Sequence, residues 1–118
     1  MKKNTGIMRL FYAGIYSWQG FKSALINEAP FREEFIAAIP LVGLSFYLDV
    51  SAYERLAMIA SLVLILIVEI LNSAVECVVD RIGIEHHVLS GRAKDYGSLA
   101  VLLSIFIAIA VWWVILTH

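Results

Sequence analysis

Apolar residues along the chain are gathered into long blocks separated by short charged segments. One block, Tyr96 to Thr117, has 22 residues without a charged side chain. A helix of that length crosses the hydrocarbon layer of a membrane, which is about 30 Å thick. A second block, Leu56 to Val79, is also helix-length and contains only two charged residues, Glu69 and Glu76. The pattern predicts transmembrane helices over about residues 55–80 and 96–117.

A shorter apolar stretch, Phe35 to Leu48, has 14 uncharged residues and includes Pro40. A re-entrant segment is therefore an alternative to a transmembrane helix here. Of the nine Lys and Arg residues, five precede this stretch, three lie between the second and third spans, and only Arg55 lies between the first two. Because positively charged loops remain in the cytoplasm, we predict a span over about residues 32–48. The amino terminus and the 80–95 loop are then cytoplasmic, and the carboxyl terminus is outside.

The residues ahead of this span show helical periodicity. Apolar side chains recur at steps of three and four and so share one face: Ile7, Phe11, Ile15, Trp18, Phe21 and Leu25. This predicts an amphipathic helix over about residues 6–28, lying in the cytoplasmic interface with Trp18 at headgroup depth. We expect residues 1–118 to form one all-α membrane domain, with three transmembrane helices and an N-terminal amphipathic surface helix.

Composition agrees with a membrane protein. Sixty-one per cent of the residues are apolar and the mean hydropathy is +0.84, although 16% are charged. A water-soluble domain of this size would expose too much apolar surface. The single cysteine, Cys77, excludes an internal disulfide. We expect no cleavable signal peptide and no nucleic-acid partner.

One face of the second predicted span carries Glu69, Asn72, Glu76 and Asp80, which we term the acidic ladder. At about 100° per residue, the four positions fall within about 80° of arc. Each carboxylate inside the bilayer costs on the order of 2.5–3.5 kcal/mol, so the ladder predicts a catalytic or ion-binding site. A polar helix–helix contact is the alternative. Because three spans do not easily enclose the ladder, we expect a homo-oligomer with the acidic faces at subunit interfaces.

The segment from Arg81 to Asp95 is expected to form a polar loop above the ladder. Acids bind Mg²⁺ and cations bind phosphates, so this loop suits a metal–nucleotide complex. His86 and His87 are possible metal ligands, although an adjacent pair in an exposed loop is more often solvated. Neither the P-loop pattern nor the glycine-rich loop of protein kinases occurs, so a nucleotide site here is of another kind.

Two segments resemble the signature of the prokaryotic diacylglycerol kinases: EILNSAVECVVD, residues 69–80, and SGRAKD, residues 90–95. The YSW of residues 16–18 and the NEAPFR of residues 27–32 are similar to the same family. The resemblance implies a homotrimer of three-span subunits in the bacterial cytoplasmic (inner) membrane, with active sites at subunit boundaries. The implied activity is transfer of the γ-phosphate of MgATP to the hydroxyl of diacylglycerol, giving phosphatidic acid.

The resemblance also implies roles for individual residues. Glu69 is expected to be the catalytic base, and Glu28 and Glu76 are expected to hold Mg²⁺. The residues expected to bind the nucleotide are Arg9, Tyr16, Ser17, Glu28, Asn72, Glu76, Asp80, Glu85, His87, Lys94 and Asp95. Those expected to bind the lipid are Arg9, Trp18, Arg55, Glu69, Ser98 and Trp112.

Two other functions remain open at this point. An undecaprenol kinase shares the EILNSAxE core and performs the same chemistry on another alcohol, whereas the YSW and NEAPFR segments favour diacylglycerol. A small proton-coupled exporter also uses an intramembrane glutamate. The odd number of predicted spans and the second layer of acids at the cytoplasmic surface disfavour an exporter.

Overall fold

A computed structural model describes residues 6–83 and 87–118 and shows four α-helices in these segments. They are α1 (Ile7–Asn27), α2 (Ala29–Tyr47), α3 (Ala52–Ile82) and α4 (Val88–Thr117). Helices that are consecutive in the chain pack against one another, and α3 with α4 forms the most extensive contact. The all-helical class predicted from the sequence is confirmed.

The helix starts follow from local chemistry. Pro30 lies in the first turn of α2, where its missing N–H group would have no helical partner. A capping box opens α3. The Ser51 hydroxyl accepts a hydrogen bond from the Glu54 N–H at 3.1 Å, and the Glu54 carboxylate accepts one from the Ser51 N–H at 2.8 Å. Two N–H groups that the helix leaves without partners are thereby satisfied.

Arg55 holds the connection between α2 and α3. Its Nε donates to the Ser45 carbonyl at 2.9 Å, and its Nη2 lies 3.4 Å from the carbonyl oxygens of Leu48 and Val50. The guanidinium carbon also lies 5.4 Å from the centroid of the Phe46 ring. These bonds satisfy carbonyl groups at and beyond the end of α2, where the helix supplies no donor.

The junction of α1 and α2 is built in a similar way. Nη1 of Arg32 donates to the carbonyls of Leu25 and Ile26, at 2.8 and 3.1 Å, near the end of α1. Phe21 of α1 packs edge-on against Phe35 of α2, with ring centroids 5.2 Å apart. The amphipathic helix is therefore fastened to α2 by both polar and aromatic contacts.

Among the described helices, α3 and α4 are long and apolar enough to cross a membrane, with mean hydropathies of 2.4 and 2.9 over their most apolar stretches. Both fit a membrane protein. The shorter helix α2, with 19 residues and Pro40 inside it, does not reach the same apolarity. A crossing by α2 stays a prediction.

The expectation of a loop over residues 80–95 is wrong for most of that segment. Helix α3 continues to Ile82, and α4 begins at Val88, about two turns ahead of its apolar run. The N-cap of α4 is His87, whose Nδ1 accepts a hydrogen bond from the Leu89 N–H at 3.0 Å. Hydropathy locates only the apolar part of a helix. The polar first turns of α4 contain arginine, alanine and lysine, which are good helix formers, so the helix extends beyond its apolar part.

Candidate active site

The acidic ladder runs along α3 from the packed interior to the surface. Glu69 is only 5% exposed, Asn72 and Glu76 are half-buried, and Asp80 is exposed. One end of the ladder is therefore dry and the other is in contact with solvent. A dry carboxylate is suited to proton transfer, and a solvated acidic end is suited to a metal–nucleotide complex.

Glu69 is covered by α2 of the same chain. Its carboxyl group lies close to that of Glu34, within reach of a like-charge interaction, and Oε1 of Glu34 is buried with no hydrogen-bond partner among the described residues. Glu34 thus belongs to the site, although the sequence reasoning missed it because no spacing rule relates residues 34 and 69.

This packing corrects one expectation about enclosure. Three helices were expected to be too few to cover the ladder, but Glu69 is almost fully buried within a single chain. The expectation is wrong for Glu69 because α2 closes over it. Glu76 and Asp80 remain more open, so any need for a second subunit concerns the upper part of the ladder.

A groove of about 560 Å³ lies between α1, α2 and α3. Its walls are largely apolar, and its polar lining includes Ser17 of α1, Glu28 between α1 and α2, and Ser73 of α3. Two predicted nucleotide-binding residues thus line the same groove, one on α1 and the other at its C-cap. The α3 residues that line this groove, such as Ile70, Ser73 and Cys77, lie on a different face of the helix from Asn72, which lines a cavity against α4.

An ion pair joins α3 to α4 at the solvated end of the ladder. Nζ of Lys94 lies 3.0 Å from Oδ1 of Asp80, and both side chains are substantially exposed. An exposed pair of this kind contributes roughly 0.2–1 kcal/mol, so either partner is free to exchange it for a phosphate or a metal ion. Asp95 and Ser98 are exposed nearby on α4. Of the other residues predicted here, His87 caps α4, and Glu85 lies outside the described residues.

Two of the predicted lipid-binding residues lie far from Glu69. Arg55 precedes it by 14 residues of α3, which is about 21 Å along the helix axis. Nε1 of Trp112 donates to the Met58 carbonyl at 3.2 Å, so this residue lies near the same distant end of α3. Within one chain, the structure does not bring either side chain to the carboxylate of Glu69.

The remaining predicted residues lie on α1 with exposed side chains: Arg9, Tyr16 and Trp18. The Trp18 ring packs beside Phe21, with centroids 5.9 Å apart, and Nζ of Lys22 lies 6.0 Å from its centroid. An exposed tryptophan beside a lysine is typical of a helix at a membrane surface.

The described residues contain no group of three or more His, Cys, Asp or Glu arranged to hold a metal ion. Magnesium that accompanies a nucleotide needs fewer protein ligands, because one or two carboxylates suffice when phosphates and waters complete the coordination. Glu28 and Glu76 are half-buried carboxylates and supply that number. The chemistry of these donors fits a metal ion that arrives with its nucleotide, but Glu28 lines the groove beside α1 and Glu76 does not line it, so within one chain the structure does not show the two carboxylates together.

The fold and the ladder together define a small all-α protein of membrane type with a buried carboxylate. The chain belongs to the prokaryotic diacylglycerol kinase family, which it matches over residues 15–116. It is 53% identical to the diacylglycerol kinase of Escherichia coli (strain K12) over 112 residues, 95% of this chain and 92% of that protein. The diacylglycerol kinases of Haemophilus influenzae (49% identity; 95% of each chain) and Pseudomonas aeruginosa (44% identity; 98% and 94%) are also similar. The family resemblance seen in the sequence is confirmed.

Proposed function

We propose that this protein is a diacylglycerol kinase, which transfers the γ-phosphate of MgATP to the hydroxyl of diacylglycerol and releases phosphatidic acid. Its family and its named relatives support this activity. The observation that carries the chemistry is the ladder, which leads from solvent to a buried carboxylate. Membership in a kinase family argues against the exporter.

Glu69 is the base that accepts the proton of the lipid hydroxyl. Its side chain is almost fully buried in a bundle that a lipid can approach from the membrane, while water is largely excluded. A positioned base contributes typically 10²- to 10⁴-fold to such a reaction. Glu34, in contact with Glu69, is placed to hold the carboxylate in position.

The nucleotide binds toward the solvated end of the ladder. Glu28 and Glu76 hold Mg²⁺, which when bound would neutralise phosphate charge during transfer. Asn72 lies one turn above Glu69 and one turn below Glu76, where its amide meets the phosphoryl group on its path. The other residues that we assign to the nucleotide are Arg9, Tyr16, Ser17, Asp80, Glu85, His87, Lys94 and Asp95.

The lipid is bound along the bundle. Arg9, Trp18 and Ser98 are assigned to its polar end. Arg55 and Trp112 lie too far from Glu69 to contact the reacting hydroxyl, so we assign them to the region of the acyl chains.

We also propose that α2 crosses the bacterial cytoplasmic membrane together with α3 and α4, and that the subunits form a homotrimer with shared sites. A helix of 19 residues is about 28 Å long, close to the hydrocarbon thickness. The distribution of Lys and Arg then leaves α1 and the α3–α4 connection cytoplasmic and the carboxyl terminus outside.

The direct test uses purified protein in mixed micelles with labelled ATP, and diacylglycerol or undecaprenol in parallel. We expect labelled phosphatidic acid, abolished by chelation of Mg²⁺ and restored by its return. Label on undecaprenol alone would transfer the assignment to that alcohol. No lipid product from protein that is folded by circular dichroism would refute a lipid kinase.

A further inference from the structure

The side chain of Asn72 meets the backbone of α4 at Gly97. A Cβ added to Gly97 would overlap Oδ1 of Asn72 and lie 2.9 Å from its Cγ, closer than unbonded carbon atoms approach. Of the six glycines whose surroundings the structure describes, the other five would bring a Cβ within 4 Å of nothing. The Asn72 amide oxygen therefore occupies the space that a side chain at residue 97 would fill.

Oδ1 of Asn72 is also buried and lacks a hydrogen-bond donor within the described segments. The cavity around it is lined by apolar groups, including Val68, Val75 and Ala100. A buried amide oxygen without a donor is unfavourable, so stability alone does not account for this placement. Unsatisfied buried groups of this kind call for a functional explanation.

We propose that Gly97 is a positioning residue that fixes the amide orientation of Asn72. This inference rests on the proposed function, which places Asn72 between Glu69 and Glu76. The amide is planar, so holding its oxygen against α4 turns its NH₂ group away from α4. That NH₂ group is the donor offered to a phosphate or a carboxylate oxygen. The missing side chain of Gly97 thus leaves room for one end of the amide and sets the direction in which the other end faces.

Gly97→Ala tests the proposal, with Gly43→Ala as its matched control because a Cβ at Gly43 meets nothing within 4 Å. We expect Gly97→Ala to lower kcat by roughly 10- to 100-fold, the scale for a misplaced group, while the KM for diacylglycerol changes little. Gly43→Ala should keep the parental kcat. A normal kcat in Gly97→Ala would overturn the proposal.

A double-mutant cycle with Asn72→Ala tests whether Gly97 acts through Asn72. If Gly97 acts through Asn72, adding Gly97→Ala to Asn72→Ala should cost no further activity and little thermal stability, because the overlap is gone. If Gly97→Ala alone fails to fold, the proposal is still testable, because the double variant should then fold. Additive losses, or no recovery, would show that Gly97 serves packing only. Thermal stability can be compared across the cycle even if the protein phosphorylates no lipid. The proposal about Gly97 and the proposed kinase activity can therefore fail separately.

Discussion

Glu69 differs from the other acids of the ladder in how little water reaches it. Its side chain is packed under α2, whereas Glu76 is half-buried and Asp80 is in solvent. Carboxylates on one helical face thus meet three different environments within about 16 Å of helix. The difference allows a single stripe to serve both proton transfer and metal–nucleotide binding.

Glu69→Gln keeps the shape of the side chain but removes the proton acceptor. We expect turnover to fall by roughly two to four orders of magnitude, with ATP affinity nearly unchanged and thermal stability equal or higher, because a buried charge is removed. Lipid phosphorylation and nucleotide binding should be measured on the same folded preparation.

Glu34→Gln is the matched control, since it makes the same change in the carboxyl group that contacts Glu69. We expect it to retain turnover within about tenfold, because the proton acceptor remains. An equal loss of turnover in both variants would show that Glu34 and Glu69 act together as the base. Lost ATP affinity in Glu69→Gln would move that residue to the metal site.

At the scale of elements, the turn between α2 and α3 is held by one side chain. Arg55 donates to backbone carbonyls on the α2 side of the turn and lies over Phe46. Lysine cannot reproduce these contacts, because arginine presents several donors in a rigid plane. The turn joins α3 to α2, the helix that covers Glu69, so we expect a change at Arg55, about 21 Å from the carboxylate along α3, to reach the site through α2.

Arg55→Ala should lower the free energy of unfolding by about 1.5–3 kcal/mol, the range for hydrogen bonds to a charged group. Arg55→Lys should recover only part of the loss. Thermal unfolding in detergent provides the measurement, and Arg81→Ala, which removes an exposed arginine of the same helix, is the control. A higher KM for diacylglycerol would support the lipid-binding role that we also propose for Arg55, whereas unchanged stability would contradict its role in holding the turn.

At the scale of the whole molecule, the residues assigned to one reaction do not all meet within one chain. Glu28 lines the groove beside α1, Glu69 lies under α2, and Trp112 packs at the far end of α3. Many apolar side chains on all four helices remain exposed in the single chain. In a cyclic oligomer, part of this apolar surface would pack against a neighbouring subunit instead of lipid. Residues from two subunits could then form one active site.

Mixing subunits that carry Glu69→Gln with subunits that carry Glu28→Gln tests shared sites. If each site takes Glu69 from one subunit and Glu28 from another, mixed trimers contain some intact sites and regain activity that neither parent shows. Co-purification through two affinity tags verifies mixing, and phosphatidic acid formation reports activity. Inactive mixtures in verified mixed trimers would place a complete site in each subunit.

The sequence by itself determined the helical class, a helix near the amino terminus, the acidic ladder and the family. Each of these depends on residues a few positions apart, where the helical repeat of 3.6 residues relates spacing directly to a shared face. The residues 69–80 and 90–95 that carry the family resemblance are likewise contiguous. Features that depend on neighbouring residues can therefore be predicted without knowledge of the tertiary structure.

Only the tertiary structure decided which distant residues meet. Three contacts depend on how the helices pack and turn. They are the contact of Glu34 with Glu69, the placement of Asn72 against Gly97, and the hydrogen bonds from Arg55 to backbone carbonyls. It also showed that α4 begins at Val88, because helix formation continues where hydropathy falls. These contacts join residues 5 to 35 positions apart, and no periodicity along the chain encodes the angle at which two helices cross.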